Sequence, residues 1–415
     1  MKNDGRPPVE DWATDYDIFH GDYVADPAPI WDDLRSRCPV AHTDRWGGSW
    51  MPTRYEDVRE LARIVPELSS DEPLVVKPAA IDPDDAFYGV KAPPISSDPP
   101  EHGPARRLIL PAFSPAAVAG HQPFTEALAH QLIDAFAGRG RADAAAEYAQ
   151  QIPPRVIAHL LGVDEAQADN FVTWARGLLE QGLKDPAVRL EARHNILGFF
   201  LEQVRQRRAE PRDDFISGLL AGDLDGEPVS DKHAVGTCNL LLVAGIDTTW
   251  SSIGSALWHL ATHPDDRKRL VAEPELIPTA VEEFLRAYSP VTMARVATTE
   301  VEAAGVTFQP GERVLMNFPA ANRDPEAFPD AHQVIIDRQA NRHIAFGVGI
   351  HRCAGSNLAR MEMNVALGAF LDRIPEFSLE DPSAVTWAGG QVRGPRQLPI
   401  VFPTAEPRRR PELAG

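Results

Sequence analysis

Residues 343–360 read HIAFGVGIHRCAGSNLAR, and this stretch decides how the rest of the chain is interpreted. It places a lone cysteine, Cys353, among glycines, which allow positive φ and the close approach of a flat group. Apolar residues then recur with helical spacing, so the sequence predicts a tight loop running into a helix N-terminus. Free amides and the helix dipole there favour a thiolate over a thiol. A thiolate in such a loop is a nucleophile or a metal ligand, whereas an ordinary free cysteine is a buried, inert core residue.

The complete pattern in this stretch is F-G-x-G-x-H-x-C-x-G followed by L-A-R. It is formed by Phe346, Gly347, Gly349, His351, Cys353, Gly355, Leu358, Ala359 and Arg360. The pattern resembles the haem-binding signature of the cytochrome P-450 family and is far more specific than a lone glycine-rich loop. The resemblance implies that Cys353 is the axial ligand of a haem b iron, where a thiolate favours O–O cleavage. It also implies that Phe346, Gly347, His351 and Gly355 contact this cofactor, with His351 donating to a propionate.

Composition sets the broad class of the protein. The 415 residues carry a formal charge of −19, which argues against nucleic acid as a partner. Cys38, Cys238 and Cys353 lie far apart, so they form neither a C-x-x-C pair nor an iron–sulfur ligand set. Few cysteines suit a reducing cytoplasm, and the polar, acidic N-terminus is unlike a signal peptide. The longest apolar run, 240–246, is much shorter than the roughly 20 residues of a membrane span. We therefore expect a cytoplasmic protein without membrane contact.

No linker divides the chain into separate units. The sequence predicts an extended N-terminal arm over residues 1–30, a single domain over 31–403 and a disordered tail over 404–415. Residues 120–235 carry amphipathic helical patterns, and residues 301–338 alternate like strands around a Pro-Gly turn. The expected fold is mainly α with a smaller β region. By the resemblance, the haem lies between a long central helix and the Cys353 loop.

Two basic residues follow the D-P-P sequence at 98–100. Their spacing puts His102 and Arg106 on one helical face, where the ordinary interpretation is a solvated polar surface. The segment resembles the family's D-P-P-x-H-x-x-x-R motif, which implies that both residues hold a haem propionate. Charge-assisted bonds to a carboxylate suit arginine well. The resemblance also implies that Arg295, which follows Pro290, is a second propionate-binding arginine.

A long apolar segment, 237–261, contains the run A-G-I-D-T-T. An acid inside such a helix is costly without a partner. Ala244 and Gly245 leave room for a flat group or a diatomic ligand against the backbone, and Thr248 is able to bond to the carbonyl four residues earlier. The run resembles the family's oxygen-activation segment. This implies that Thr248 hydrogen-bonds bound dioxygen or its water and that Asp247 relays protons.

Glu283 and Arg286 form an E-x-x-R pair on a predicted helix. Taken alone, such a pair is an ordinary surface ion pair that contributes little. The resemblance implies instead a buried network that Arg338 joins. The family usually has F-D-x-x-R at this point, whereas residues 334–338 read VIIDR, so the arginine is present and the aromatic anchor is absent. We therefore expect altered local packing within an unchanged fold.

Substrate contacts are expected from segments that the resemblance places near the haem. The candidates are Phe87, Trp174, Val243, Val291, Met293 and Val392. Simple packing explains each of them equally well, because pocket-lining loops carry no readable code for a substrate. The spacing of Phe171, Trp174 and Leu178 indicates first a core-facing helical stripe.

The resemblance implies a monooxygenase that inserts one oxygen atom from O2 into a hydrophobic small molecule, by hydroxylation or O-demethylation. No G-x-G-x-x-G sequence is present, so electrons are expected from an iron–sulfur ferredoxin and its NAD(P)H-dependent reductase. Arg106, Arg107, Arg352 and Arg360 are candidates for a docking patch. Two alternatives stay open: a haem peroxygenase using H2O2, which the acid–alcohol pair disfavours, and a non-catalytic haem sensor or carrier.

Overall fold

The protein is described over residues 7–404 by a computed structural model. Helices dominate this part of the chain. They are α1 (Gly21–Ala25), α2 (Ala28–Arg37), α3 (Tyr55–Leu61), α4 (His102–Ile109), α5 (Pro115–Asp134), α6 (Ile152–Leu161), α7 (Ala168–Leu179), α8 (Pro186–Ala209), α9 (Phe215–Ala221), α10 (Asp231–Thr262), α11 (Pro264–Ala272), α12 (Ile277–Ala287), α13 (Phe318–Ala321) and α14 (Ser356–Arg373). The predicted mainly α fold is confirmed.

Short strands make up the smaller β region. They are β1 (Val40–Thr43), β2 (Ser49–Pro52), β3 (Leu68–Ser69), β4 (Arg141–Asp143), β5 (Asp223–Leu224), β6 (Glu227–Pro228), β7 (Met293–Ala297), β8 (Val301–Ala303), β9 (Val306–Phe308), β10 (Arg313–Met316), β11 (Ser378–Leu379), β12 (Thr386–Ala388), β13 (Gly394–Gln397) and β14 (Pro399–Val401). The largest sheet has the order β1-β2-β10-β7-β3, and β4 joins β14 and β11 in a second sheet. Strand β2, near the start of the described residues, thus pairs with β10, and β14, near their end, pairs with β4.

Helix α10 runs through the main hydrophobic core. It is 32 residues long, and Trp250, Ile253 and Leu257 on it are fully buried. A helix that is apolar on nearly all sides belongs inside a protein, where other helices cover it. Within residues 7–404 it is also the helix that is long and apolar enough to cross a membrane, but 78% of its most apolar window is buried inside the protein. Its composition therefore reflects its central position.

Residues 7–30 fold back onto the domain. Tyr16 is 1% exposed and shares a 2.6 Å hydrogen bond with Ser49, while the Tyr23 hydroxyl accepts one from Trp31 Nε1. These aromatic residues build a second hydrophobic cluster with Leu315 of β10. The predicted extended arm is therefore wrong over residues 7–30, because irregularly spaced aromatic residues reveal their partners only in the folded chain. Residues 405–415 of the predicted tail lie outside the described residues.

The E-x-x-R pair is buried and fully satisfied. Glu283 and Arg286 are 0% exposed and form two hydrogen bonds of 2.8 and 2.7 Å. Arg338 Nε donates to the same carboxylate at 3.0 Å, so the predicted three-residue network is present. One residue after Val334, which stands where the expected motif has its aromatic residue, the backbone N–H of Ile335 donates to Glu283 at 2.9 Å. This backbone bond fixes the segment that carries Arg338.

Candidate active site

Cys353 lies in a tight loop immediately before α14. Its backbone N–H donates to the Phe346 carbonyl at 2.8 Å, which closes the loop. Gly347 and Gly349 have φ values of 68° and 74°, a region in which side chains are strained, so glycine is required there. Gly355 has φ −82°, and a Cβ there would make only ordinary contacts, at 3.8 Å with Phe113 and 4.0 Å with Cys353 Sγ, so neither the backbone nor the packing requires glycine at this position. Gly347 and Gly349 therefore shape the loop.

The environment of Cys353 suits a metal ligand better than a nucleophile. Burial raises the pKa of its thiol, against the opposing effects of the Gly355 amide and Arg106. The expected thiolate is thus not produced by the helix dipole alone, because desolvation opposes it even though the residue is exposed to the cavity. Reactive cysteines have depressed pKa values, whereas a coordinating metal deprotonates a thiol outright.

A cavity opens between the Cys353 loop and α10. It contains about 1430 Å³ of empty space, counting its open mouth. The predicted site residues in its wall are Arg106, Ala244, Gly245, Thr248, Val291, Met293, Arg295, Phe346, Gly347, His351, Cys353 and Gly355. Ile95, Leu240 and Leu241 also line it, although the sequence prediction missed them. The cavity thus brings together three predicted motifs that lie far apart in sequence.

Three basic residues, Arg106, Arg295 and His351, line this cavity without a carboxylate partner, and the predicted residue His102 lies outside the wall, beside His351. Arg295 is 5% exposed, and its Nε is buried without a hydrogen-bond partner. His102 Nε2 is equally unpartnered, and the His102 ring lies 4.5 Å from that of His351. Burial, with Arg295 and His102 nearby, lowers the pKa of His351 to about 3. Among the described residues no carboxylate forms an ion pair with these arginines or with either histidine.

This arrangement fits a haem with its two propionates. The two arginines are cations without a carboxylate partner, and such charges are costly to bury, while the two histidines add N–H donors; the cluster therefore indicates a wall that receives anionic groups. Cys353 supplies a sulfur donor in the same cavity, and apolar side chains cover the remaining surface. The donor set therefore suits iron at the sulfur, the ring in the gap and the propionates at Arg106, Arg295 and the two histidines.

Thr248 and Gly245 lie where α10 borders the cavity. Thr248 Oγ1 donates to the Ala244 carbonyl at 2.8 Å, the back-bond that the sequence predicts. A Cβ on Gly245 would lie 2.5 Å from Ile157 Cδ1 of α6. Glycine at this position is therefore required by helix packing as well as by the cavity that it lines.

Asp247 does not line the cavity. Its side chain is 0% exposed, and Oδ1 accepts a 2.8 Å hydrogen bond from Arg396 Nη2. Oδ2 is buried without a partner, and burial raises the pKa of this carboxyl while Arg396 opposes the rise. Arg396 also donates to Glu180 at 2.8 Å and lies over the Trp250 ring. The sequence prediction missed Arg396, because 149 positions separate it from Asp247.

Four of the predicted pocket residues lie outside the cavity wall. Phe87 faces α8, where its ring lies 5.7 Å from that of His194. Trp174 packs in an aromatic group, and Val243 packs against the main core. Val392 is buried and forms a backbone bridge with the cavity residue Val291, so it supports the wall from behind. Their positions in helices and loops near the cavity predicted contacts with the substrate. In the structure, these four side chains pack against other parts of the protein and do not line the cavity.

Glu362 is a cavity residue that the sequence gave no reason to select. It is 1% exposed, lines the same cavity as Cys353, and its Oε2 has no hydrogen-bond partner. Burial raises the pKa of this carboxyl well above its usual value. The side chain therefore places an unpartnered carboxyl oxygen in the second turn of α14, beside the cavity.

Comparison with known proteins agrees with this site. The family model for cytochrome P-450 matches residues 154–386. Mycinamicin IV hydroxylase/epoxidase of Micromonospora griseorubida is 37% identical over 366 residues, covering 85% of this chain and 89% of that protein. Vitamin D(3) 25-hydroxylase of Pseudonocardia autotrophica is 37% identical over 397 residues, covering 93% and 96%. The structure of cytochrome P-450 CYP109Q5 from Chondromyces apiculatus matches with a TM-score of 0.84 at 31% identity, covering 95% and 99%.

The helical fold and the cysteine cavity define a haem-thiolate oxidoreductase. The chain belongs to the cytochrome P-450 family, and its relatives are bacterial members. It is accordingly a cytochrome P-450 monooxygenase, and membership of the family implies a haem cofactor. The predicted family, fold and enzyme class are confirmed.

Proposed function

We propose that the protein uses haem b to insert one atom of O2 into a hydrophobic small organic molecule, by hydroxylation or O-demethylation. The observation that carries the proposal is the cavity in which the Cys353 sulfur, two arginines without a carboxylate partner, His351 and an apolar wall meet. When bound, the haem supplies the activation of O2 by two electrons. The relatives named above are hydroxylases, which supports this reaction class.

The residues of the chain have separate roles in this proposal. Cys353 coordinates the iron, and Arg106, Arg295, His102 and His351 hold the propionates through charge-assisted hydrogen bonds. The other contacts to the ring come from Ala244, Gly245, Phe346, Gly347 and Gly355. The apolar wall formed by Val291 and Met293 excludes water from the space beside the substrate.

The proton supply depends on Thr248 and Asp247. The Thr248 hydroxyl holds a proton at the cavity wall, and Asp247 relays protons from the far side of α10, where Arg396 restrains its carboxyl group. Replacing Thr248 by alanine removes the hydroxyl, so we expect electrons to be diverted into hydrogen peroxide. Thr262→Ala is the matched control, because Thr262 makes the same back-bond at 2.9 Å at the exposed end of α10. Full coupling in Thr248→Ala would contradict the role of this residue.

Electrons come, in this proposal, from an iron–sulfur ferredoxin and its NAD(P)H-dependent reductase. The contacts change the expected docking patch: Arg107 is paired with Asp225, and Arg360 with Glu282. Arg352 is exposed and without an ion pair among the described residues, next to Ile350, which is 40% exposed. We expect Arg352→Gln to slow reduction by ferredoxin and weaken its salt dependence, while the paired Arg107→Gln has a smaller effect.

A spectrum of the reduced carbon monoxide adduct tests the haem-thiolate assignment. The wild type should show the red-shifted Soret band of thiolate coordination, and Cys353→His should bind haem without that band. Cys38→Ser is the control, since Cys38 lies outside the cavity wall. An unshifted band in the wild type would refute the proposal.

Two assays separate the monooxygenase from its alternatives. Product formed from NADH, ferredoxin and reductase, with one atom from labelled O2, supports the proposal. Product formed with hydrogen peroxide alone favours the peroxygenase, and absence of product with every oxidant favours the haem sensor. We propose a cytoplasmic location, which the free thiols of Cys38 and Cys238 support.

A further inference from the structure

Arg396 connects β13 to α10 and to the end of α7. Its Nη2 donates to Asp247 Oδ1 at 2.8 Å, its Nε to Glu180 Oε2 at 2.8 Å and its Nη1 to Ser251 Oγ at 3.0 Å. The side chain is 8% exposed, and its guanidinium lies 4.2 Å from the centre of the Trp250 ring. Every nitrogen of the guanidinium therefore has a partner, and the group is fixed between the two helices.

Glu180, directly after α7, is the second carboxylate bound to this guanidinium. Arg176, one turn earlier, also holds it, with Nη2 donating to Oε1 at 2.9 Å and Nε to Oε2 at 3.3 Å. Burial opposes the ionisation of Glu180, but Arg396 and Arg176 outweigh burial and lower the pKa of this carboxyl group. Glu180 is therefore ionised at neutral pH, so Arg396 has a counter-ion even when Asp247 carries no charge.

The two oxygens of Asp247 have different surroundings. Oδ1 accepts from Arg396, and Ser251 Oγ lies 3.5 Å from it, whereas Oδ2 is buried without a partner. A guanidinium has donors and no acceptor, so Oδ1 accepts at this contact and does not donate. A proton that this carboxyl group takes up therefore lies on Oδ2.

Charged groups from two neighbouring elements act on Asp247. Burial has the largest effect and raises its pKa; Arg396 of β13 lowers the pKa, Glu180 raises it, and Arg176 of α7 lowers it. The hydroxyl of Ser251, on α10 itself, also opposes the rise. Without Glu180, Asp247 would be the carboxylate that neutralises a buried arginine, and its ionised form would be favoured. Glu180 thus takes over this role from Asp247.

We propose that Arg396 and Glu180 are positioning residues that keep Asp247 able to take up and release a proton at Oδ2. Arg396 occupies Oδ1 and so leaves Oδ2 as the atom that carries the proton. Glu180 balances the charge of Arg396, so protonation of Asp247 leaves no buried cation without a counter-ion. Uptake forms one O–H bond at Oδ2 and breaks one in water, with no change of oxidation state. This inference rests on the proton-relaying role proposed above for Asp247.

Infrared spectra of the reduced carbon monoxide adduct, recorded over a range of pH, test this pair. The C=O band of protonated Asp247 is the band that Asp247→Asn removes. In Glu180→Gln its titration midpoint should fall by about one pH unit, because a negative charge that favours protonation is lost. In Arg176→Gln the midpoint should rise by a smaller amount, because a half-buried positive charge is lost.

Glu273→Gln is the matched control. Glu273 directly follows α11 and pairs with Arg269, four residues earlier, just as Glu180 follows α7 and pairs with Arg176. This variant should leave the midpoint of Asp247 unchanged. Arg396→Gln should raise the midpoint, whereas Arg396→Lys, which keeps the charge, should stay closer to the wild type.

Opposite shifts in Glu180→Gln and Arg176→Gln follow from charge and not from a general loosening of the fold. Shifts of the same sign, an unchanged midpoint in Glu180→Gln, or no band that Asp247→Asn removes would each overturn the inference. If Glu180→Gln does not fold, the signs in Arg176→Gln and Arg396→Lys decide. The Soret band is recorded on the same samples. A normal thiolate band with an unshifted midpoint refutes only the positioning pair, whereas a missing thiolate band in the wild type refutes the proposed function.

Discussion

Arg286 in α12 and Arg295 in β7 are both buried, yet their surroundings are opposite. All the N–H groups of Arg286 have acceptors: the two oxygens of Glu283 and the carbonyls of Asn322, Ala331 and Gln333. Arg295 has one hydrogen bond, to the Ala294 carbonyl at 2.8 Å, and a buried Nε with no acceptor. Burial lowers the pKa of Arg295 to about 10.

The difference distinguishes a structural arginine from one that awaits a ligand. A guanidinium with all donors satisfied holds chain segments together and has nothing left to offer. A guanidinium with buried, unsatisfied donors raises the free energy of the protein alone, and an anion that enters relieves this cost. Both residues occur in motifs of the same family, so the motif does not show which type each one is. The number of unsatisfied N–H donors on each guanidinium distinguishes the two types.

The largest effect is expected from removing the acid of the satisfied network. Glu283→Ala leaves Arg286 and Arg338 buried without a counter-ion, so the free energy of unfolding should fall by about 3–5 kcal/mol. Urea denaturation measures this change. Glu273→Ala is the control, because Glu273 pairs with Arg269 at the surface and should cost under about 1 kcal/mol. Similar losses in the two variants would show that the network does not stabilise the fold.

An intermediate effect is expected at the unsatisfied arginine. Arg295→Gln should leave the stability of the haem-free protein unchanged or raised, while haem affinity falls by about 10–100-fold. Transfer of haem to a scavenging protein measures the affinity. The control is Arg313→Gln on neighbouring β10, because Arg313 is satisfied by Glu72 and two carbonyls. This control should lose stability and keep its haem; the reverse pattern would break the comparison.

The smallest effect concerns Glu282, a half-buried acid beside the Cys353 loop. Burial opposes its ionisation, but hydrogen bonds from Arg360 and His343 outweigh burial and lower its pKa to about 2. Because the folded pKa lies below the unfolded value, the carboxylate stabilises the fold above about pH 4.5. This contribution is lost as the pH falls from about 4.5 through about 2.

Unfolding free energies of the wild type and of Glu282→Gln, measured at several pH values below 6, test this sign. The difference between the two proteins should shrink as the pH falls. Glu275→Gln, at an exposed acid with no ion pair among the described residues, is the control and should show a constant difference. A gap that widens toward low pH would show that the bonds to Arg360 and His343 do not hold the Glu282 carboxylate in its ionised form.

The sequence predicted those parts of the site whose residues contact others nearby in sequence. It did not predict contacts between residues that are far apart in sequence. The loop around Cys353 and the back-bond of Thr248 follow from residues within one or two turns of each other, and the structure contains both. Phe87 and Trp174 were placed near the haem by segment alone, and their side chains point to other helices. The sequence predicts an arm over residues 7–30 because the aromatic residues there are irregularly spaced and show neither helical nor strand periodicity.

By itself, the sequence determined the family, the mainly α fold and many of the residues that line the cavity beside Cys353, because motif spacing and helical periodicity are properties of neighbouring residues. Only the tertiary structure decided which buried charges have partners. It joined Asp247 to Arg396 across 149 positions and left the Nε of Arg295 without an acceptor. Partners of this kind depend on how helices and loops pack against each other, and the strength of each interaction depends on burial, which no stretch of neighbouring residues specifies.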